Sequence, residues 1–190
     1  MTTTEPLKHW QSAFLLKPPP ARPAAGQVNA AVLLPLFWQH QQWQLLMTQR
    51  ALHLKHHPGQ ISFPGGKLEA GESAAAAALR ELEEEVGIAA DQVRLFGCLP
   101  AINTSTGFIV QPWLGILSAP PQPTIDAAEV ASVLYVPLAH AISAKHRHSE
   151  YWQLRGKRQH LHFIPFGDRL IWGASAQILY QLAQQLDLPD

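Results

Sequence analysis

The segment FPGGKLEAGESAAAAALRELEEEVGI, residues 63–88, decides the fold of this chain. Its second half combines a run of alanines with leucines and glutamates, residue types that favour a helix. Ser73 precedes the alanine run and belongs to a type that caps the first turn of a helix, whereas Gly87 stands where helices commonly end. The segment therefore predicts a helix between these two residues.

The glutamates of this predicted helix lie close together. On a wheel of about 100° per residue, Glu81, Glu84 and Glu85 fall within an arc of about 100°, and Glu83 points away from them. Like charges this close repel each other unless divalent cations lie among them. Because Mg²⁺ and Mn²⁺ prefer oxygen ligands, the arc is a candidate metal face, and a solvated acidic helix face is the alternative. A different side, suited to packing on a sheet, consists of Ala75, Leu79, Leu82 and Val86.

The loop before the helix complements this face. Gly65 and Gly66 allow a tight backbone turn and offer a carbonyl group to a metal. Glu72 lies eight residues before Arg80, so it can fold back onto the helix and pair with that guanidinium. We expect the pair to fix the loop over the metal face.

Composition limits the class of protein. The chain has 190 residues, of which 47% are hydrophobic, enough for one domain with a real core. Its 14 basic and 14 acidic residues cancel, so no global field attracts nucleic acid or an anionic membrane. Cys98 is the only cysteine, which excludes an intramolecular disulfide and a cysteine-based zinc site.

The N-terminal region reads as an extended arm. Four prolines fall within residues 15–27, so we predict an arm over residues 1–27 and one folded domain over residues 28–190. The default interpretation of the arm is a flexible leader, and contacts in a homodimer are the alternative. We find no signal peptide, and the longest apolar run has nine residues, where a membrane span needs roughly 20. We therefore expect a cytoplasmic protein without a membrane partner.

Short apolar segments rich in β-branched or aromatic residues surround the predicted helix and are typical of strands. Two precede the helix, in residues 29–38 and 42–50, and several follow it. A hairpin turning near residues 155–157 and an amphipathic helix over residues 173–186 close the chain. This order predicts an α+β fold, an α/β/α sandwich with a mixed β-sheet.

Two histidine pairs, His146 with His148 and His160 with His162, alternate as strand residues do. Nothing else supplies the spacing of a known zinc site, so we interpret them as surface or hairpin histidines.

The helix and its loop match a longer pattern. From Gly66 the sequence reads G, five residues, E, seven residues, R-E, an aliphatic residue, any residue, E-E, any residue, G and an aliphatic residue. This is the Nudix box, and the chain resembles Nudix hydrolases over these 23 residues. The filled positions are Gly66, Glu72, Arg80, Glu81, Leu82, Glu84, Glu85, Gly87 and Ile88.

The resemblance implies the Nudix fold over most of the chain and hydrolysis of a nucleoside diphosphate linked to some moiety X, with Mg²⁺ or Mn²⁺. It implies a structural pair of Glu72 with Arg80. Relatives differ over which glutamate takes the proton of the attacking water, and Glu129, before a predicted strand, is one candidate; a solvated loop carboxylate is the alternative. The implied metal ligands are the Gly66 carbonyl, Glu81, Glu84 and Glu85.

The segment upstream of the box, residues 46–66, resembles the signature of the coenzyme A pyrophosphatase subfamily. Met47 replaces a leucine of that signature and Lys55 replaces an arginine, which keeps the cation but loses the bidentate fork. Residues 103–112 also resemble a segment of that subfamily. Coenzyme A bears a 3′-phosphate, and basic residues before the glycines are its expected partners. The candidate substrate-binding residues are Arg50, Lys55, Gly59 and Phe63.

The sequence thus predicts a Nudix hydrolase that cleaves coenzyme A or its thioesters to 3′,5′-ADP and 4′-phosphopantetheine or its acylated form. One alternative is another small-molecule substrate, such as ADP-ribose, a dinucleotide cofactor or a damaged nucleotide. A second is a module that senses a nucleotide without cleaving it, in which we would expect a broken box.

Overall fold

The structure is a computed structural model that describes residues 28–154 and 156–186. The predicted arm, residues 1–27, lies outside the described residues. The helices are α1 (Ala74–Val86), α2 (Leu138–Ala141) and α3 (Gly173–Gln185). The strands are β1 (Ala30–Gln39), β2 (Gln42–Arg50), β3 (Ile61–Ser62), β4 (Gly65–Lys67), β5 (Val93–Cys98), β6 (Ile102–Asn103), β7 (Ile109–Leu117), β8 (Val130–Pro137), β9 (His148–Leu154), β10 (Lys157–Phe166) and β11 (Arg169–Trp172).

Strand β1 is at the centre of the large sheet, which is mixed, as the sequence predicts. It pairs antiparallel with β2 and β4 and parallel with β7. The sheet runs in the order β3-β2-β1-β7-β5, and β8 pairs antiparallel with β2. His40 and Gln41, both with positive φ, form the turn between β1 and β2. The short strands β3 and β4, not predicted from the sequence, pair the glycine-containing loop with the sheet.

Each face of the sheet carries its own core, because successive side chains of a strand point to opposite faces. On one face, Leu33 and Phe37 of β1 pack with Leu82 and Val86 of α1. On the other face, residues of β1 and β2 pack with α3 and the second sheet; they include Leu34, Leu45, Met47, Ile164, Ile171, Ile178, Leu179 and Leu182. The predicted α/β/α sandwich is confirmed.

The hairpin predicted near residues 155–157 is present, since β9 and β10 pair antiparallel. With β11 it forms a separate three-stranded sheet in the order β11-β10-β9, which the sequence did not predict. Ile164 and Ile171, each 0% exposed, join this small sheet to the core under α3. No helix of the described residues is both long and apolar enough to cross a membrane.

Helix α1 begins and ends where the sequence predicts. The Ser73 side chain accepts a hydrogen bond from the Ala76 N–H at 3.2 Å, and Gly87 ends the helix with φ 70°. Its buried face differs from the prediction, because a helical wheel fixes only the relative angles of residues. The buried residues are Ala77, Ala78, Leu82, Glu85 and Val86.

Candidate active site

Strand β4 brings the backbone of the glycine pair against the sheet and against α1. A Cβ atom at Gly65 would lie 2.6 Å from the Cα of Val32, with which Gly65 is paired. A Cβ atom at Gly66 would lie 2.7 Å from Oε2 of Glu81 and collide with the whole carboxylate. Only glycine therefore lets the Glu81 carboxylate rest on this backbone.

Arg80 joins the glycine strand, the following loop and α1. Its Nε and Nη2 atoms donate to the two carboxylate oxygens of Glu72, at 2.9 and 3.1 Å, so the structure brings the predicted pair together. Nη2 also donates to the Lys67 carbonyl at 3.0 Å. Hydrogen bonding to the guanidinium keeps the pKa of Glu72 below its ordinary value. This bidentate geometry holds the loop in place over α1.

The same guanidinium offsets the negative charge of two of the clustered glutamates, Glu81 and Glu84. Nη1 of Arg80 donates to Glu81 at 3.0 Å and to Glu84 at 2.7 Å. The Glu84 side chain is 58% exposed, whereas that of Glu81 is 14% exposed. Burial raises the pKa of Glu81, and the Arg80 hydrogen bond opposes that rise. Glu83 is exposed, as its position on the wheel predicts.

Glu85 is a buried carboxyl group, only 5% exposed. It accepts long hydrogen bonds, both at 3.4 Å, from the Thr48 hydroxyl and the Gly65 N–H. Burial raises its pKa to about 8, and the charges of Glu81 and Glu129 add to that rise. Bonds of this length are weak and replace little of the water that the carboxylate form of Glu85 has lost.

Glu129 reaches this cluster from a different part of the chain. Its carbonyl accepts a hydrogen bond from the Ala51 N–H at 2.8 Å, and the Asp126 N–H donates to the Glu85 carbonyl at 3.0 Å. The loop before β8 is thereby tied to both β2 and α1. The charge of Glu129 acts on the pKa of both Glu81 and Glu85, as expected for a carboxylate beside them.

These carboxylates fit a divalent cation in donor type and in charge. Two buried or half-buried groups, Glu81 and Glu85, have raised pKa values because burial and neighbouring carboxylates penalise their charged forms. A hard cation would relieve that penalty. Within residues 28–154 and 156–186, no three histidine, cysteine or acidic side chains already have the spacing of a metal site, and Glu84 is bonded to Arg80.

The predicted substrate residues lie in two different environments. Arg50 ends β2, and its charge lowers the pKa of Glu85, so it lies beside the acidic cluster. Lys55 is exposed in the loop of residues 51–60. Gly59, with φ 71°, closes that loop by donating its N–H to the Arg50 carbonyl at 3.1 Å. Arg50 and Gly59 are therefore linked at the end of β2, and Lys55 lies in the loop between them.

Phe63 is buried, which contradicts its expected role as a substrate-binding residue. Its side chain is 2% exposed and belongs to the core beneath the sheet, so it does not reach the site surface. Burial of this large apolar ring, which lies between β3 and β4, lowers the free energy of the folded state. The buried ring also anchors β4, the strand that contains the glycine pair.

The sequence did not single out Thr48 or His162 as buried polar residues. Thr48 is 1% exposed and contacts both Glu85 and the Ser62 hydroxyl. His162 is 2% exposed and hydrogen-bonded through Nδ1 to Ser149 at 2.7 Å, so of the two predicted alternatives it is a hairpin histidine of β10 and not a surface one. A hydroxyl inside the apolar stretch of β2 was the only local signal for Thr48.

Known proteins match most of this chain. A family model described as the NUDIX domain matches residues 27–154. A protein of Photorhabdus laumondii named as an uncharacterized Nudix hydrolase, NudL, is 40% identical over 91% of this chain and 92% of its own length. A NudL protein of Salmonella newport is 39% identical over 95% of this chain and 94% of its own.

Solved structures share the fold. An Ap4A hydrolase of C. elegans, in a binary complex, superposes with a TM-score of 0.53 at 24% identity, over 60% of this chain and 83% of that one. RenU, a Nudix hydrolase of M. smegmatis, also gives 0.53, at 20% identity over 60% and 73% of the two chains.

Proposed function

This chain belongs to the NUDIX domain family as a Nudix hydrolase, and from that premise we propose that its substrate is coenzyme A or a coenzyme A thioester. Cleavage of the pyrophosphate releases 3′,5′-ADP and 4′-phosphopantetheine, or the acylated form. The observation that carries the proposal is the position of the basic loop. Arg50 lies beside the acidic cluster of the Nudix box, and the Gly59 N–H, bonded to the Arg50 carbonyl, ties the loop that carries Lys55 to the same end of β2.

The residues of the box are assigned to a divalent cation, Mg²⁺ or Mn²⁺, which Nudix hydrolases generally use. A bound cation of this kind neutralises pyrophosphate oxygens and acidifies a water molecule. The raised pKa of Glu85 and the contact between Glu81 and the Gly66 backbone support the assignment. The proposed ligands are the Gly66 carbonyl, Glu81, Glu84 and Glu85.

Glu129 is assigned as the group that accepts the proton of the attacking water. It is exposed, so solvent reaches it, and it lies beside Glu81 and Glu85. The two Glu85 oxygens, by contrast, accept hydrogen bonds from Thr48 and Gly65. A general base must lie within reach of the proton it removes, and the anchored loop before β8 gives Glu129 that reach.

The loop of residues 51–60 is assigned to the 3′-phosphate of coenzyme A. Lys55 is exposed there, together with His53 and His56, so the loop offers cationic or hydrogen-bonding groups to an anion. Gly59 fixes the loop to the end of β2, since its φ of 71° strains any other residue and a Cβ atom would lie 3.0 Å from Leu52. A homodimer through residues 1–27 stays a prediction.

One assay tests the proposal. The protein is incubated with coenzyme A and Mn²⁺, and with ADP-ribose and NADH in parallel, and the products are separated by chromatography. We expect 3′,5′-ADP from coenzyme A, with a higher kcat/KM than for the other two compounds. A preference for ADP-ribose or NADH would overturn the substrate. A thermal shift with coenzyme A but no product over hours would instead indicate a sensing module.

A further inference from the structure

A cleft of about 720 Å³ opens on the side of the large sheet that carries α3. Residues 101–106 form one wall, and residues 159–162 of β10 with residues from 172–181 of β11 and α3 form the other. His57 and Gln60, from the loop that also carries Lys55, complete the lining. Small-molecule sites commonly have volumes of about 300–1,000 Å³, so the cleft is large enough for one.

The lining is polar and contains no permanently charged side chain among the described residues. None of the described residues that line the cleft is an aspartate, glutamate, lysine or arginine. Hydroxyl groups come from Thr104, Ser105 and Thr106. Such a surface offers paired donors and acceptors but no lysine or arginine to bind a phosphate. The carboxamides belong to Gln60, Asn103, Gln159, Gln177 and Gln181.

Two of these carboxamides occupy one face of α3. Gln177 and Gln181 are four residues apart, so both project toward the cleft that they line. The Oε1 atom of Gln181 is buried and has no hydrogen-bond partner among the residues that the structure describes. A buried amide oxygen without a donor is costly, and a ligand N–H group would satisfy it.

Flat rings line the cleft as well. The indole of Trp172, at the start of α3, is 41% exposed. The rings of His160 and His162 are held by their own neighbours, because His160 stacks on Tyr151 at 4.4 Å and His162 on Tyr180 at 4.2 Å. Because His162 is 2% exposed, the rings that a bound planar group can reach are those of Trp172 and the half-buried His160, and the fixed His160 ring would lose no further side-chain freedom.

Two connections place the cleft beside the acidic cluster. Gln60 is two residues before Ser62, whose hydroxyl lies 3.3 Å from that of Thr48, the partner of Glu85. The strand between Gln60 and Ser62 spans only about 7 Å. On the other wall, the Thr104 N–H donates to the Phe108 carbonyl at 2.8 Å, and the Phe108 ring lies 5.4 Å from the Lys67 amine.

We propose that this cleft binds the adenine base of the nucleotide substrate, an inference that rests on the proposed function and names the part of the substrate that gives the enzyme its specificity. Adenine presents an N6 donor beside an N7 acceptor, and a glutamine carboxamide matches that pair. Its flat face packs on aromatic rings such as Trp172. A flexible amide chain could use the carboxamides but would gain less from the rings.

The location of the cleft agrees with a role in specificity. Strands β10 and β11 and helix α3 all lie beyond residue 154, where the match to the NUDIX family model ends. The catalytic box therefore belongs to the shared part of the chain, and one wall of the cleft is added to it. His57 is two residues from Lys55, so a base in the cleft would leave the ribose 3′-phosphate near that lysine.

The test uses the double variant Gln177→Leu/Gln181→Leu, with Gln184→Leu as the matched control because Gln184 is exposed on the same helix. Binding of AMP, 3′,5′-ADP and 4′-phosphopantetheine is measured by NMR titration of the full chain, and circular dichroism checks the fold. We expect the double variant to bind AMP and 3′,5′-ADP roughly tenfold more weakly and 4′-phosphopantetheine unchanged. With coenzyme A, KM should rise while kcat stays constant.

Each other result has a definite meaning. Weaker binding of 4′-phosphopantetheine alone would assign the cleft to the pantetheine arm and overturn the proposal. Unchanged binding of all three compounds would overturn it as well, as would a double variant that behaves like Gln184→Leu. If the wild-type protein binds AMP through these glutamines but leaves coenzyme A intact, the cleft proposal stands and the proposed substrate fails. If the double variant does not fold, the single variant Gln177→Ala is compared with the wild type for binding of the same three compounds.

Discussion

Helices α1 and α3 have the same length, cover opposite faces of one sheet, and differ in charge. The 13 residues of α1 include Arg80 and four glutamates, whereas the 13 residues of α3 include no charged side chain. Ser73 caps α1, and α3 starts after Trp172 without a side-chain cap. The contrast separates two tasks: the charged face suits a cation and a pyrophosphate, and the neutral face suits recognition of a base.

The largest expected effect is on the charged face. We expect Glu85→Gln to keep the fold and to lower kcat at least about a hundredfold, because a neutral amide is a poor ligand for a hard cation. Steady-state kinetics with coenzyme A and saturating Mn²⁺ measure the loss. Glu83→Gln is the matched control, since Glu83 is exposed on the same helix. Equal turnover of the two variants would remove Glu85 from the site.

Stability should depend on pH through the same residue when no cation is present. The pKa of Glu85 is raised from 4.5 to about 8 by burial. The fold favours the neutral form of the Glu85 carboxyl group. The contribution of Glu85 to the free energy of unfolding is therefore complete below pH 4.5 and is lost as pH rises through 8. Relative to Glu85→Gln, the metal-free wild type should lose about 4 kcal/mol between pH 5 and 9.

Urea unfolding of both proteins in EDTA measures this difference in free energy. Mn²⁺ should restore the wild type at pH 9 and leave Glu85→Gln almost unaffected. Parallel pH profiles of the two proteins in EDTA would contradict the burial argument.

A smaller effect is expected where the glycine strand meets α1. Gly66→Ala should weaken Mn²⁺ binding roughly tenfold, because the new Cβ atom would push the Glu81 carboxylate out of place. Isothermal titration calorimetry measures the affinity. Gly71→Ala, in the same loop, is the control: it has open space around the new atom and carries only the strain of φ 80°. If both variants bind Mn²⁺ equally, the contact with Glu81 does not position the ligand.

The smallest effect is expected in the basic loop. Lys55→Ala should raise KM for coenzyme A about fivefold and leave KM for dephospho-coenzyme A unchanged, because only the former carries a 3′-phosphate. Lys145→Ala, also exposed but on a different segment, should change neither value. A similar rise for both substrates would separate Lys55 from the 3′-phosphate.

The same contrast shows what the sequence could reveal. The ends of α1 were predictable because Ser73 and Gly87 act within their own turns, and the acidic arc follows from the helical period. The mixed sheet followed from the order of apolar segments. Local patterns of this kind are also why the pairing of Glu72 with Arg80 could be anticipated.

What could not be predicted depends on contacts between distant segments. Whether Glu85 faces the sheet or solvent is decided by how α1 packs on β1 and β4. A helical wheel gives no information about that packing. Phe63 looked like a substrate residue because it lies within a binding signature, and only the packing of β3 and β4 shows it in the core. The cleft joins residues 57–60, 101–106 and 159–181, so no single stretch of sequence indicates it.

The most direct measurement is a titration of the metal-free protein with Mn²⁺ by electron paramagnetic resonance, comparing the wild type with Glu81→Gln/Glu84→Gln/Glu85→Gln. The wild type should suppress the signal of free Mn²⁺. Addition of coenzyme A at low temperature should suppress this signal further. The triple variant should leave it unchanged while retaining the same circular dichroism spectrum. Equal binding of Mn²⁺ by the two proteins would contradict the assignment of α1 as the metal-binding face.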